Sequence, residues 1–205
     1  MSADCFSWDT RIAFVVRYMY DIDNNGFLDQ KDFDCMALRA TIIEGRGDCN
    51  ASKLAEFQHI MRSLWEELSD LADFDKVCIR FKLSLKDGMI TTDEFKEAVR
   101  KTCVGKKYGE FPQAMKAFIE ANFKMMDLDN DGLIGVQEFR YNCIQRLAID
   151  NIQVVDDAFY SLLNDNDKIK GGLTLERYQD LYGEFLGNTE KNPGCYLFGP
   201  LGIEE

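Results

Sequence analysis

Histidine is nearly absent from this chain: of 205 residues only His59 is one. A site that works through several histidines is thereby excluded, and His59 itself lies in a helical run where it reads as an ordinary surface or core residue. Cysteine pairs of the C-x-x-C kind are missing too. The seven cysteines, Cys5, Cys35, Cys49, Cys78, Cys103, Cys143 and Cys195, are scattered and odd in number, which indicates neither a zinc cage nor a disulfide framework. Small buried hydrophobes are their expected use. No apolar run approaches the length needed to cross a bilayer, and residues 1–8 lack the basic and apolar regions of a secretion signal, so a reduced, cytoplasmic setting is expected. There is no glycine-rich phosphate cradle and no Ser or Cys nucleophile with a recognisable His partner, and the chain reads as a non-enzyme. Positive charge is in deficit, 24 basic against 36 acidic side chains for a formal charge of -12. That balance disfavours nucleic acid and stable membrane association, and it concentrates cations near the surface.

The acidic residues are not spread evenly. Residues 127–138 read D-L-D-N-D-G-L-I-G-V-Q-E, with carboxylates at alternate positions, then a glycine, a branched apolar residue and a terminal glutamate. This is the pattern of an EF-hand calcium loop. A hard divalent cation of that size takes six to eight oxygens, which the chain supplies by curling around it. Asp127, Asp129 and Asp131 offer side chains, Leu133 its carbonyl, and Glu138 both oxygens of its carboxylate, while Gly132 permits the sharp turn. Residues 21–32 repeat the pattern with Asp21, Asp23, Asn25, Phe27 through its carbonyl, and Asp32. Aspartate at the closing position is one methylene shorter than glutamate, so a tighter shell more tolerant of magnesium is expected there. Two bound divalent ions would bring the formal charge from -12 to about -8.

Apolar periodicity places helices on both sides of each loop: Ile12, Val15, Val16 and Met19 before the first and Phe33, Met36, Ala37 and Ala40 after it. Met115, Phe118, Ile119, Phe123 and Met126 precede the other, and Phe139, Cys143, Ile144 and Leu147 follow it. Leu28 and Ile134 stand at the eighth loop position, where a short antiparallel bridge to a neighbouring loop forms. Each loop therefore needs a partner. A partner for the first is divided: Asp73 and Asp75 begin a loop, Asp87, Met89, Thr91 and Glu94 end one, and residues 77–86 separate them. The insert alternates apolar and polar residues like a strand and brings Arg80, Lys82 and Lys86 beside the carboxylates. Weakened or lost binding is expected, through charge competition and a longer loop to order, although an extruded bulge that leaves the ligands in place stays open. The last quarter outlines a fourth hand, helix, turn, helix, whose loop places Asn166, Lys168, Lys170 and Arg177 where ligands belong. Cations cannot ligate a cation, so its expected role is architectural, with Leu173 keeping the bridge position.

Four hands with the last inactive, together with the segments V-R-Y-M-Y-D-I-D-N-N-G-F-L-D at 16–29, G-G-L-T-L-E-R-Y-Q-D-L-Y at 171–182 and C-Y-L-F-G-P-L at 195–201, resemble the invertebrate sarcoplasmic calcium-binding proteins, the arthropod ones above all. The likeness spans essentially the whole chain. It implies an all-α fold of four EF-hands in two packed lobes with short β bridges between paired loops, residues 1–103 forming one pair and 104–205 the other. It also implies a muscle protein of the sarcoplasm that buffers Ca2+ in exchange with Mg2+. In that family the second hand commonly binds as well, and some relatives dimerise, which leaves a homodimer open. The alternative is a calexcitin-like sensor that acts on a protein or membrane target. Eight methionines against 15 phenylalanines, and a short stretch at 105–112 between the halves, favour a rigid core and packed lobes, hence a buffer. Photoproteins share the scaffold but rely on several histidines.

Overall fold

The computed structural model describes residues 7–72, 88–145, 147 and 149–201. Helix α1 (Trp8–Val15) starts at Ser7, whose Oγ accepts from the Thr10 amide at 3.2 Å, and runs directly into a π-helical segment, Val16–Tyr20, that ends at the first loop. After that loop come β1 (Phe27–Asp29) and α2 (Gln30–Glu44), then the long α3 (Ala51–Ala72). Strand β2 (Met89–Thr91) and α4 (Thr92–Cys103) complete the first half. A 3-10 turn at Tyr108–Glu110 leads to α5 (Gln113–Met126), the second intact loop, β3 (Leu133–Ile134) and α6 (Val136–Ile144). The chain finishes with α7 (Ile152–Leu162), α8 (Asp165–Lys170), β4 (Leu173–Thr174), α9 (Leu175–Gly187) and a 3-10 turn at Pro193–Tyr196.

The strands pair as the apolar eighth positions require. Strand β1 lies antiparallel to β2 with Leu28 opposite Ile90, and β3 lies antiparallel to β4 with Ile134 opposite Leu173. All four of these side chains are buried. The fold is thus helical with two small sheets, four EF-hands joined in two pairs, as expected.

Aromatic rings fill the space between helices. Tyr20 meets Phe95 and Phe118 edge-on, at centroid distances of 5.6 and 5.5 Å, and its hydroxyl lies 3.1 Å from that of Tyr182. Tyr182 and Phe185 both contact Phe198 of the tail. Contacts between the two halves include the Trp8 indole, which donates to the Leu186 carbonyl at 2.8 Å, and the packing of α3 on α5 and of α4 on α9. Arg11 is fully buried: its guanidinium donates to the Asn188 carbonyl and to Cys195 Sγ and stands over the Phe185 ring. Cys195, Leu197, Phe198 and Leu201 are buried, so the tail packs on the body, as its apolar sequence suggests. Among the described residues Cys35, Cys49, Cys103, Cys143 and Cys195 are free thiols.

Candidate metal centres

Each intact loop is organised by its first carboxylate. Asp21 ends the π-helical segment, and its two oxygens accept from the Asn25 amide at 3.0 Å and the Gly26 amide at 2.9 Å. Asp127 does the same with Asp131 and Gly132, at 3.1 and 3.0 Å. The third loop positions follow suit: Asp23 accepts from Asn25 at 3.2 Å, and Asp129 from Asp131 at 3.1 Å. The fifth positions accept from the seventh, Asn25 from the Phe27 amide at 2.9 Å and Asp131 from the Leu133 amide at 2.8 Å. Two segments about a hundred residues apart thus hold the same network, because amides spaced along a tight turn all point inward to the oxygens at its centre.

That turn needs left-handed backbone at two places. Gly26 and Gly132 have φ of 88° and 84°, as the pattern predicts, while Asn24 and Asn130 have φ of 55° and 61°. Asparagine tolerates this region better than most side chains do, and it recurs two residues ahead of each glycine, a signal in the sequence that is conformational and carries no charge.

The closing carboxylates span each loop. Asp32 accepts from the Ile22 amide and the Asp29 amide, both at 2.9 Å. Glu138 accepts from Leu128 at 2.6 Å through one oxygen and from Gly135 at 2.8 Å through the other. Asp32, although shorter, therefore reaches both ends of its loop. It also caps α2, since Asp29 accepts from the Lys31 and Asp32 amides while Asp32 accepts from the Asp29 amide, so the candidate ligand and the helix start share one residue.

Carboxylate oxygens of Asp21, Asp23 and Asp32 lie within 4.8 Å of one another, and so do those of Asp127, Asp129 and Asp131. Two unit charges at such a separation repel by roughly 3 kcal/mol at an effective dielectric near 20, a cost that a cation removes. Burial adds to it, raising Asp32 and Glu138 above the ordinary carboxylate range despite their backbone hydrogen bonds. The donor set is all oxygen, which fits calcium or magnesium and no soft metal. Asp21, Asp23, Asn25, Asp32 and the Phe27 carbonyl would hold one ion, and Asp127, Asp129, Asp131, Glu138 and the Leu133 carbonyl the other.

Of the divided second hand, Asp73, Asp75 and Asp87 and the insert at 77–86 lie outside the described residues. Its exit half has the geometry of the intact loops. Gly88 has φ of 73°, Ile90 fills the bridge position, and Glu94 accepts from the Thr91 amide and hydroxyl, each at 2.8 Å. Met89 stands at the seventh position of that loop, at the start of β2.

The fourth hand departs from the expected turn. Residues 165–170 form helix α8 instead, because Asn164 and Asp167 cap it reciprocally at 2.9 Å and Gly171, with φ of 87°, ends it. Asn166, Lys168 and Lys170 are helical residues there, and Lys168 pairs with Asp165.

Two loops of this geometry, each bridged to a second hand, define an EF-hand protein of four hands. The EF-hand family model matches residues 119–140. The alpha chain of the sarcoplasmic calcium-binding protein of Penaeus vannamei is 52% identical over 199 residues, covering 97% of this chain and 98% of that one. Sarcoplasmic calcium-binding protein 1 of Astacus leptodactylus is 52% identical over 197 residues, with 96% and 97% covered. The structure of an amphioxus sarcoplasmic calcium-binding protein superposes with a TM-score of 0.74 over 98% of this chain and 100% of that one, at 22% identity. The chain belongs to the sarcoplasmic calcium-binding proteins. No helix among the described residues is long and apolar enough to cross a membrane.

Proposed function

We propose that this chain binds calcium at hands I and III and acts as a Ca2+/Mg2+ buffer in the sarcoplasm of muscle. The observation that carries the reading is the pair of converging carboxylate clusters, each drawn to within 4.8 Å and held by an equivalent network of backbone amides. Magnesium occupancy at rest follows from the shorter Asp32 in hand I, and calcium uptake then waits on magnesium release. Hand II keeps Glu94, Met89 and a bridge to β1, and with Asp73, Asp75 and Asp87 it would form a third site that is weakened or lost while residues 77–86 divide it. Residues 1–103 and 104–205 are proposed as the two functional halves.

A buffer suits a body whose aromatic core and tail are already packed. Calorimetric titration of the demetallated chain should show two equivalents of calcium, with uptake slowed by millimolar magnesium. Deleting residues 77–86 should add a third. No uptake at micromolar free calcium would sink the proposal.

A sensor reading draws on one feature. Met19, Met36, Met61, Met125 and Met126 gather around a cavity of about 40 Å3 that also touches Glu138. Methionines of this kind line the grooves that sensors open on binding calcium. Calcium-dependent retention on phenyl resin would favour it, whereas a buffer passes through the column with or without the ion.

A further inference from the structure

Hand IV lacks ligands, yet it is tied together as a loaded hand would be. The register that sets Ile134 opposite Leu173 puts Arg177 where Glu138 stands in hand III, four residues beyond the bridge. The sign of the side chain is reversed, and so is its hydrogen bonding. Arg177 Nη2 donates to the Leu162 carbonyl at 2.9 Å, at the end of α7, and Nε lies 3.3 Å from Asp167 Oδ2 in an ion pair. A second carboxylate, Glu184, is 4.0 Å from Nη1. The Arg177 and Asp167 side chains are only 17% and 5% exposed, so water screens their attraction little. The guanidinium thus joins the exit helix α9 to the entering α7 and α8. In hand III the same join runs from Glu138 to the Leu128 amide, and an ion would complete it.

Hand IV is also coupled to hand III through few steps. The Arg177 amide donates to Thr174 Oγ1 at 3.2 Å, and Thr174 is paired with Leu133, the residue whose carbonyl would face an ion in the proposed hand III site. Beside them a Cβ on Gly172 would come within 2.7 Å of the Ile134 carbonyl oxygen, so the two backbones are in close contact.

We infer that Arg177 is a built-in cation that keeps hand IV ordered without metal, and that through the β3–β4 bridge it positions Leu133 and sets the calcium affinity of hand III. The second part rests on the calcium reading of that hand. A hand that must be ordered on binding weakens its neighbour by the cost of ordering, and one already ordered does not. Arg177 acts on the ion only through Leu133 and Ile134, as a positioning residue.

The test uses the full chain, with Glu138→Gln marking which calorimetric step belongs to hand III. In EDTA, hydrogen exchange of residues 171–178 and of Ile134 should be slow in the parent and about tenfold faster in Arg177→Met, and hand III should bind calcium about tenfold more weakly, a usual size for coupling between adjacent sites. Hand I should stay within about twofold, and Arg177→Lys should recover part of both effects, since it keeps the charge but loses the planar fork. Unchanged exchange and unchanged hand III affinity in Arg177→Met overturn the inference. So does an equal loss at hand I, which marks general destabilisation. If Arg177→Met does not fold by circular dichroism, Arg177→Gln removes the charge while keeping a polar side chain and is read in the same two ways. A parent that takes no calcium at hand III removes the affinity part together with the calcium reading, while the exchange in EDTA still decides whether Arg177 orders hand IV.

Discussion

At the scale of single residues, Asp32 and Glu138 each tie the start of their loop to the start of the next helix, and each stands where the proposed ion shell would close. Burial raises both above the ordinary carboxylate range, with desolvation the main cause. The sign for the metal-free fold follows: these two groups favour it more as pH falls through their folded values, because the fold then takes up protons that the unfolded chain still lacks. Calcium needs the ionised form, so its affinity is complete above those values and declines as pH drops through them. Titrations at descending pH should therefore show binding weaken, with proton release, before ordinary carboxylates would protonate. Glu138→Gln removes the charge and one ligand oxygen, and it should weaken hand III by about a hundredfold while hand I keeps its equivalent, as read by calorimetry. Most of these candidate ligands were legible because a hard cation demands oxygens at fixed spacing. The asparagines at Asn24 and Asn130 were less so, since their work is conformational and leaves no charge pattern.

At the scale of elements, helix boundaries followed the capping chemistry. Asp29 with Asp32 and Thr91 with Glu94 form reciprocal boxes, so the residue that closes a loop also begins a helix. Two features escaped the pattern. The segment Val16–Tyr20 is π-helical, with the Asp21 amide bonded to the Val16 carbonyl at 2.8 Å, and the apolar spacing alone does not distinguish that from an α-helix. Helix α8 is six residues long, too short for periodicity to reveal, and its caps outweigh the loop pattern it replaced. The bridges themselves are predicted to matter for both stability and binding. Ile134→Ala at a fully buried position should cost about 2–5 kcal/mol in urea unfolding of the metal-free chain and should weaken hand III.

At the scale of the whole molecule, the halves are joined by side chains far apart in sequence: Trp8 to Leu186, Tyr20 to Tyr182, and Arg11 to Asn188 and Cys195. The tail seals this seam, with Phe198 edge-on to Tyr182 and Phe185 at centroid distances of 5.4 and 4.8 Å. Phe198→Ala should lower stability by about 3–5 kcal/mol in denaturant unfolding, yet leave calcium stoichiometry intact, since its ring packs on Tyr182 and Phe185 of α9. The amino-acid order alone determined the four hands, which two carry the full pattern of candidate oxygen ligands, and where each loop bends, because a hard cation and a tight turn impose spacings that leave a local pattern. Only the folded structure decided how the halves meet, that the fourth hand carries a helix in place of a loop, and what the arginine in it faces. Those outcomes depend on which surfaces come together and which buried charges find partners, and contacts between residues distant in sequence leave no local period to read.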